Sequence, residues 1–92
     1  MAKIRAHVYI AGRVQGVFFR QNTKRQAHNQ GIKGWVRNLD DGRVEAVFEG
    51  EEAAVKALVD FCSKGPKGAS VTKITVNWEL FQDEFGTFGI TY

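Results

Sequence analysis

An α+β fold is predicted for this 92-residue chain from three observations. Five stretches alternate apolar and polar residues with the period of a strand. Two others carry helical spacing and end at glycine. Their order is β-α-β-β-α-β with one further strand at the end. That is the order of the split βαβ, or ferredoxin-like, sandwich, in which two helices cover one face of an antiparallel sheet. Here it gains an extra C-terminal strand. Ninety-two residues suffice for one domain and not for two, so residues 1–92 are read as a single domain.

The elements follow in turn. Ile4, Ala6, Val8 and Ile10 alternate with Arg5, His7 and Tyr9, giving a strand with one buried face. Gly12 and Gly16 punctuate the loop that follows. Residues 21–30 read as a helix stopped by Gly31, with Phe19, Thr23, Ala27 and Gln30 as its core-facing stripe. That stripe is only partly apolar, so the assignment rests on context. Ile32 to Leu39 is a second strand with Ile32, Gly34 and Val36 on one face. Asp41-Gly42 signals a tight hairpin, and Arg43 to Glu49 returns with Val44, Ala46 and Phe48 inward. Gly50 opens the clearest helix. Glu51 and Glu52 sit in its first turn and Lys64 in its last, both favourable to the helix dipole. Val55, Leu58, Phe61 and Cys62 form its apolar stripe, Gly65 closes it in a left-handed cap, and Pro66 prevents continuation. Ile74, Val76, Trp78 and Leu80 mark a fourth strand; Phe88, Ile90 and Tyr92 mark a fifth.

The topology makes a functional prediction. In a split βαβ unit the first two strands run the same way with the third between them. Their C-terminal ends share one sheet edge, roughly 10 Å apart at two strand spacings. The loop Gly12-Arg13-Val14-Gln15-Gly16-Val17-Phe18-Phe19-Arg20 leaves the first strand there, and Asn38 closes the second. A glycine-bearing turn can aim several N–H groups at one point. The helix N-terminus adds unpaired donors and partial positive charge, and Arg20 adds a permanently charged fork. An arginine in a first helical turn is mildly unfavourable by itself; a bound anion reverses that. Together these groups suit a tetrahedral oxyanion, most simply a phosphoryl group.

Two segments resemble the acylphosphatase family: the loop just quoted, and Gly34-Trp35-Val36-Arg37-Asn38-Leu39-Asp40-Asp41-Gly42-Arg43-Val44 running on to Gly50. Both look like complete copies of that family's two motifs. The Gly65-Pro66 break and the aromatic C-terminal strand are similar too, so the resemblance spans essentially the whole chain. It implies the ferredoxin-like fold reached above and an enzyme that hydrolyses acyl phosphates to a carboxylate and inorganic phosphate. It implies that Arg20 and the backbone N–H groups of Gln15, Gly16, Val17, Phe18, Phe19 and Arg20 bind the phosphoryl oxygens. Asn38 would orient the attacking water, with the substrate phosphate as the base, and with no metal and no organic cofactor. In its first helix the chain departs from the family, whose members tend to place a large apolar residue at Gln30 and aromatics near Gln21 and Asn22.

The remaining features narrow the function. A net charge of +3 with scattered Lys and Arg suits a small anion better than a polyanion. The third strand carries two acids where an RNA-recognition module would want stacking aromatics, so no nucleic-acid partner is expected. One cysteine excludes an intrachain disulfide and a Cys-x-x-Cys metal carrier, and His7 and His28 suggest no metal site. No Gly-x4-Gly-Lys-Ser/Thr nucleotide loop is present. There is no apolar signal segment and no run near the roughly 20 residues of a membrane span, so a cytoplasmic enzyme with no membrane partner is expected. Its partners would be a small acyl phosphate and phosphate or sulfate as a product-like ligand, and it would act as a monomer. Cys62, Trp35 and Trp78 read as packing residues, and Asp40 and Asp41 as hairpin residues.

Overall fold

The computed structural model describes residues 2–92. The elements are β1 (Lys3–Arg13), α1 (Phe19–Gln30), β2 (Lys33–Asn38), β3 (Val44–Glu51), α2 (Glu52–Lys64), β4 (Ser70–Leu80) and β5 (Phe88–Ile90). They form one sheet in the order β4-β1-β3-β2-β5. β3 pairs antiparallel with both β1 and β2, so those two strands run the same way with β3 between them. β4 is also antiparallel to β1. The extra strand β5 pairs parallel to β2, through Gly34 with Phe88 and Val36 with Ile90. The ferredoxin-like sheet is therefore antiparallel over four strands and mixed over five.

Both helices lie on one face. α1 packs on β2 and β5, and α2 on β1, β3 and β4. The core between the layers gathers Ala6, Val8, Ile10, Val36, Val44, Ala46 and Phe48 from the sheet, with Phe19, Ala27, Val55, Leu58 and Cys62 from the helices. Burial of this apolar area is the main stabilising term. Thr23 is the polar member of α1's inner face, and its hydroxyl donates to the Phe19 carbonyl at 2.8 Å. Gln30, placed on that stripe by its spacing, is exposed instead, because α1 runs out past the core at its last turn. Gly31 ends α1 in the left-handed region (φ 69°, ψ 26°). Gly65 takes a positive φ of 77° but an extended ψ of 170°, so α2 ends without the left-handed cap expected of it. Gly50 and Glu51 belong to β3, which leaves Glu52 as the one acid in the first turn of α2.

The opposite face of the sheet is covered by charge. Glu45 and Glu49 of β3 are buried. Glu45 accepts from Arg37 Nε at 2.7 Å and lies 2.6 Å from His7 Nε2. Burial pushes its carboxyl up, but hydrogen bonds from His7, Arg37 and Tyr9 outweigh that and hold it below the ordinary carboxylate range. Glu49 accepts from the backbone N–H of Gln82 at 2.7 Å and of Glu84 at 3.3 Å, with Arg5 at 3.4 Å. Those bonds pin the connection from β4 to β5 across this face. β3 is thus central in the sheet and enclosed on both sides.

β4, by contrast, is an edge. Ile74 and Val76 are half-buried, while Trp78 is 52% and Leu80 87% exposed.

Candidate active site

The loop between β1 and α1 begins with a close backbone approach. At the β-bulge where β1 meets β4, a side chain on Gly12 would run into the Ser70 carbonyl oxygen. Only glycine lets β1 end there. Gly16 (φ 74°) and Phe18 (φ 59°, ψ 26°) both turn through the left-handed region. For Phe18 that conformation is costly, on the order of 1 kcal/mol. It serves as the N-cap of α1 with its side chain 72% exposed.

This path leaves donors free. The first bond of α1 is from Asn22 N–H to the Phe18 carbonyl at 3.0 Å. Among the described residues, no N–H from Gln15 to Gln21 donates to a backbone carbonyl. α1 has no side-chain cap and no acid in its first turn, so its own sequence does not neutralise its positive end.

A pocket of about 150 Å³ opens at that end, lined by Val14, Gly16, Phe18, Phe19, Arg20, Gln21 and Asn38. Arg20 thus comes from the first turn of α1 and Asn38 from the last residue of β2, as strand order requires. Arg20 makes no ion pair among the described residues. Its guanidinium lies 5.9 Å from the ring of Tyr92. The Asn38 Oδ1 is buried with no hydrogen-bond partner. A buried acceptor left unpaired costs about 1–3 kcal/mol unless a ligand or water fills the place.

Gln15 and Val17 stand apart from the other predicted site residues: neither side chain lines the pocket. Gln15 Nε2 instead donates to the carbonyls of Leu39 (2.8 Å) and Arg43 (3.0 Å), tying the loop to the β2–β3 hairpin. Val17 packs against the core. Gln21 and Val14 are lining residues the sequence did not single out. Gln21's place just after Arg20 on the free helix end was the available signal. Cys62 is excluded from chemistry, since burial pushes its thiol up to about 12, with the Thr23 hydroxyl only partly opposing. Among the described residues no three His, Cys, Asp or Glu groups come together as a metal would need.

Fold and pocket together define an α+β domain of the ferredoxin-like class with an open pocket at a helix N-terminus. Comparison with known proteins is specific. The family model described as Acylphosphatase matches residues 6–90. An acylphosphatase of Haloarcula marismortui is 58% identical over 79 residues, covering 86% of this chain and 87% of that one. One from Chloroflexus aurantiacus is 51% identical over 92 residues, covering 100% of both chains. The crystal structure of acylphosphatase from Bacillus subtilis superposes with a TM-score of 0.92 at 36% identity, covering 97% of this chain and 99% of that one. The chain belongs to the acylphosphatase family, and it is a hydrolase of acyl phosphates.

Proposed function

We propose that the pocket binds the phosphoryl group of an acyl phosphate through Arg20 and the free N–H groups of the loop from Gln15 to Arg20, and that Asn38 orients the attacking water. The observation that carries this reading is that Arg20 and Asn38, from separate elements, line one pocket, and that the buried Asn38 Oδ1 has no partner among the described residues. An acceptor there can take one hydrogen of a water and turn its lone pair toward phosphorus. Arg20 supplies a bidentate, permanent cation for two phosphoryl oxygens.

The chemistry asks little more. An acyl phosphate is a mixed anhydride whose leaving group is a stable carboxylate. Water oxygen bonds to phosphorus, the bond from phosphorus to the acyl oxygen breaks with its electron pair, and the water's proton passes to a phosphoryl oxygen. Catalysis is then positioning and charge stabilisation, as in phosphoryl transfer generally. One chain supplies every group named, so a single domain acting as a monomer in the cytoplasm is sufficient, and inorganic phosphate or sulfate would occupy the pocket as product-like ligands. Among the described residues no helix is long and apolar enough to cross a membrane. A nucleic-acid role lacks support, since β3 turns Glu45, Val47 and Glu49 to the face where stacking aromatics would be needed.

The test is hydrolysis of acetyl and benzoyl phosphate beside simple phosphomonoesters. Turnover of the acyl phosphates alone is expected. Equal turnover of both classes would replace this reading with a general phosphatase.

A further inference from the structure

We infer that β4 is a self-recognition edge, through which two copies of this chain pair antiparallel about a two-fold axis at Val76 and join their sheets into one. β4 lies at the end of the sheet, so one side of its backbone has no strand beside it. It is 11 residues long, without proline, and regular from Lys73 to Leu80. Such an edge is a template for a further strand. Trp78 and Leu80 are two of the four exposed large apolar residues among the described residues, and both stand on it.

The side chains say which strand fits. Ile74, Val76 and Trp78 pair with Ile10, Val8 and Ala6 of β1, so they share the helix-bearing face. Lys73, Thr75, Asn77 and Glu79 pair with Ala11, Tyr9, His7 and Arg5, on the other face. With the axis at Val76, Lys73 lies opposite Glu79 of the second copy, Thr75 opposite its Asn77, and Ile74 opposite its Trp78. Each match occurs twice. The helix-bearing face gains an unbroken apolar patch of six side chains, and the other face gains two ion pairs. Lys73 makes no ion pair within its own chain among the described residues. Glu79 already holds Arg5 at 2.9 Å, so each new pair extends an existing network. Moving the axis to Thr75 or Asn77 leaves Lys73 opposite Asn77 or Phe81, and no opposite charges meet. The sequence therefore selects one register.

The interface is one strand wide, which places it among weak and transient contacts. It lies away from the Arg20 pocket, so it adds nothing to the chemistry. It revises only the expectation of a monomer, and only at high concentration.

Two measurements test it. Sedimentation of the full chain from about 10 µM to about 1 mM should show a monomer passing to a dimer. Lys73→Glu should abolish that dimer and Lys73→Glu/Glu79→Lys should restore it, whereas a merely structural effect of either change would not be rescued. Val76 is the one residue that meets its own copy. Directly opposed Cα atoms lie roughly 4.5–5.5 Å apart, within disulfide reach. On mild oxidation Val76→Cys should cross-link at least about tenfold faster than Asn77→Cys, with Cys62 buried and silent. A chain that stays monomeric to about 1 mM, assembly beyond the dimer, failure of the charge swap to restore pairing, or equal cross-linking of the two cysteines would each overturn the proposal.

Discussion

At the scale of single residues, the proposed site divides two tasks by chemistry. Among the described residues, Arg20 is a cation in no ion pair, and Asn38 Oδ1 is a neutral acceptor with no donor. Their losses should therefore read differently. Arg20→Lys is expected to be nearly as damaging as Arg20→Ala, because an ammonium cannot make two parallel bonds to one phosphoryl group. Benzoyl phosphate turnover by the purified variants measures this, and near wild-type turnover in Arg20→Ala would remove the residue from the site. If Asn38 acts on the water and not on the anion, as proposed, Asn38→Ala should lower turnover by on the order of 10²–10³ while leaving competitive inhibition by phosphate largely intact. A phosphate inhibition constant that rises with turnover unchanged would contradict that division. Legibility at this scale was uneven. That Arg20 and Asn38 would meet in one pocket was readable because motif and strand order point to one edge. The role of the Gln15 side chain could not be, because its partners Leu39 and Arg43 lie 24 and 28 residues away and carbonyl acceptors carry no sequence signature.

At the scale of elements, periodicity was readable wherever one face meets the core and the other meets something polar. β1 and β3 have this form on their inner faces, and α2 has it through Val55, Leu58 and Cys62. It failed where tertiary context decides. Trp78 and Leu80 continue the apolar alternation of β4, yet they are exposed, because position at the edge is a property of sheet order. The acids of β3 look like a solvent face, yet residues from other segments bury them. The parallel pairing of β5 depends on a connection that crosses the whole sheet, and nothing local encodes it. The loop and the hairpin are also coupled only in space. Gln15 is what couples them, so Gln15→Ala should remove two hydrogen bonds at about 0.5–1.5 kcal/mol each, while the carbonyls of Leu39 and Arg43 keep the backbone N–H groups of Gly42 and Leu39. Turnover should fall too, because Asn38 sits one residue before the tethered Leu39. Urea unfolding and a kinetic assay check the two effects together; unchanged stability would mean that water replaces the amide at no cost.

At the scale of the whole molecule, the fold and the site have conflicting needs. A helix end free of acids, an arginine without a counter-ion and a left-handed phenylalanine all oppose folding. Under the proposed function, an anion entering the pocket would recover the electrostatic part of that cost. Phosphate should therefore bind the folded chain and stabilise it by mass action. At ten times its dissociation constant the gain is about 1.4 kcal/mol. For a domain near this size that corresponds to roughly 6–11 °C in melting temperature. The same phosphate should move the melting of Arg20→Ala far less, and that variant's melting temperature without phosphate should equal or exceed the wild type's, because an unfavourable charge at the positive helix end is gone. Thermal melts of both proteins across a phosphate series, at constant ionic strength held with chloride, separate this specific effect from general screening. Equal shifts in the two proteins would show that the anion acts on the charged surface at large, and the free donors at the start of α1 would then have no ligand to explain them.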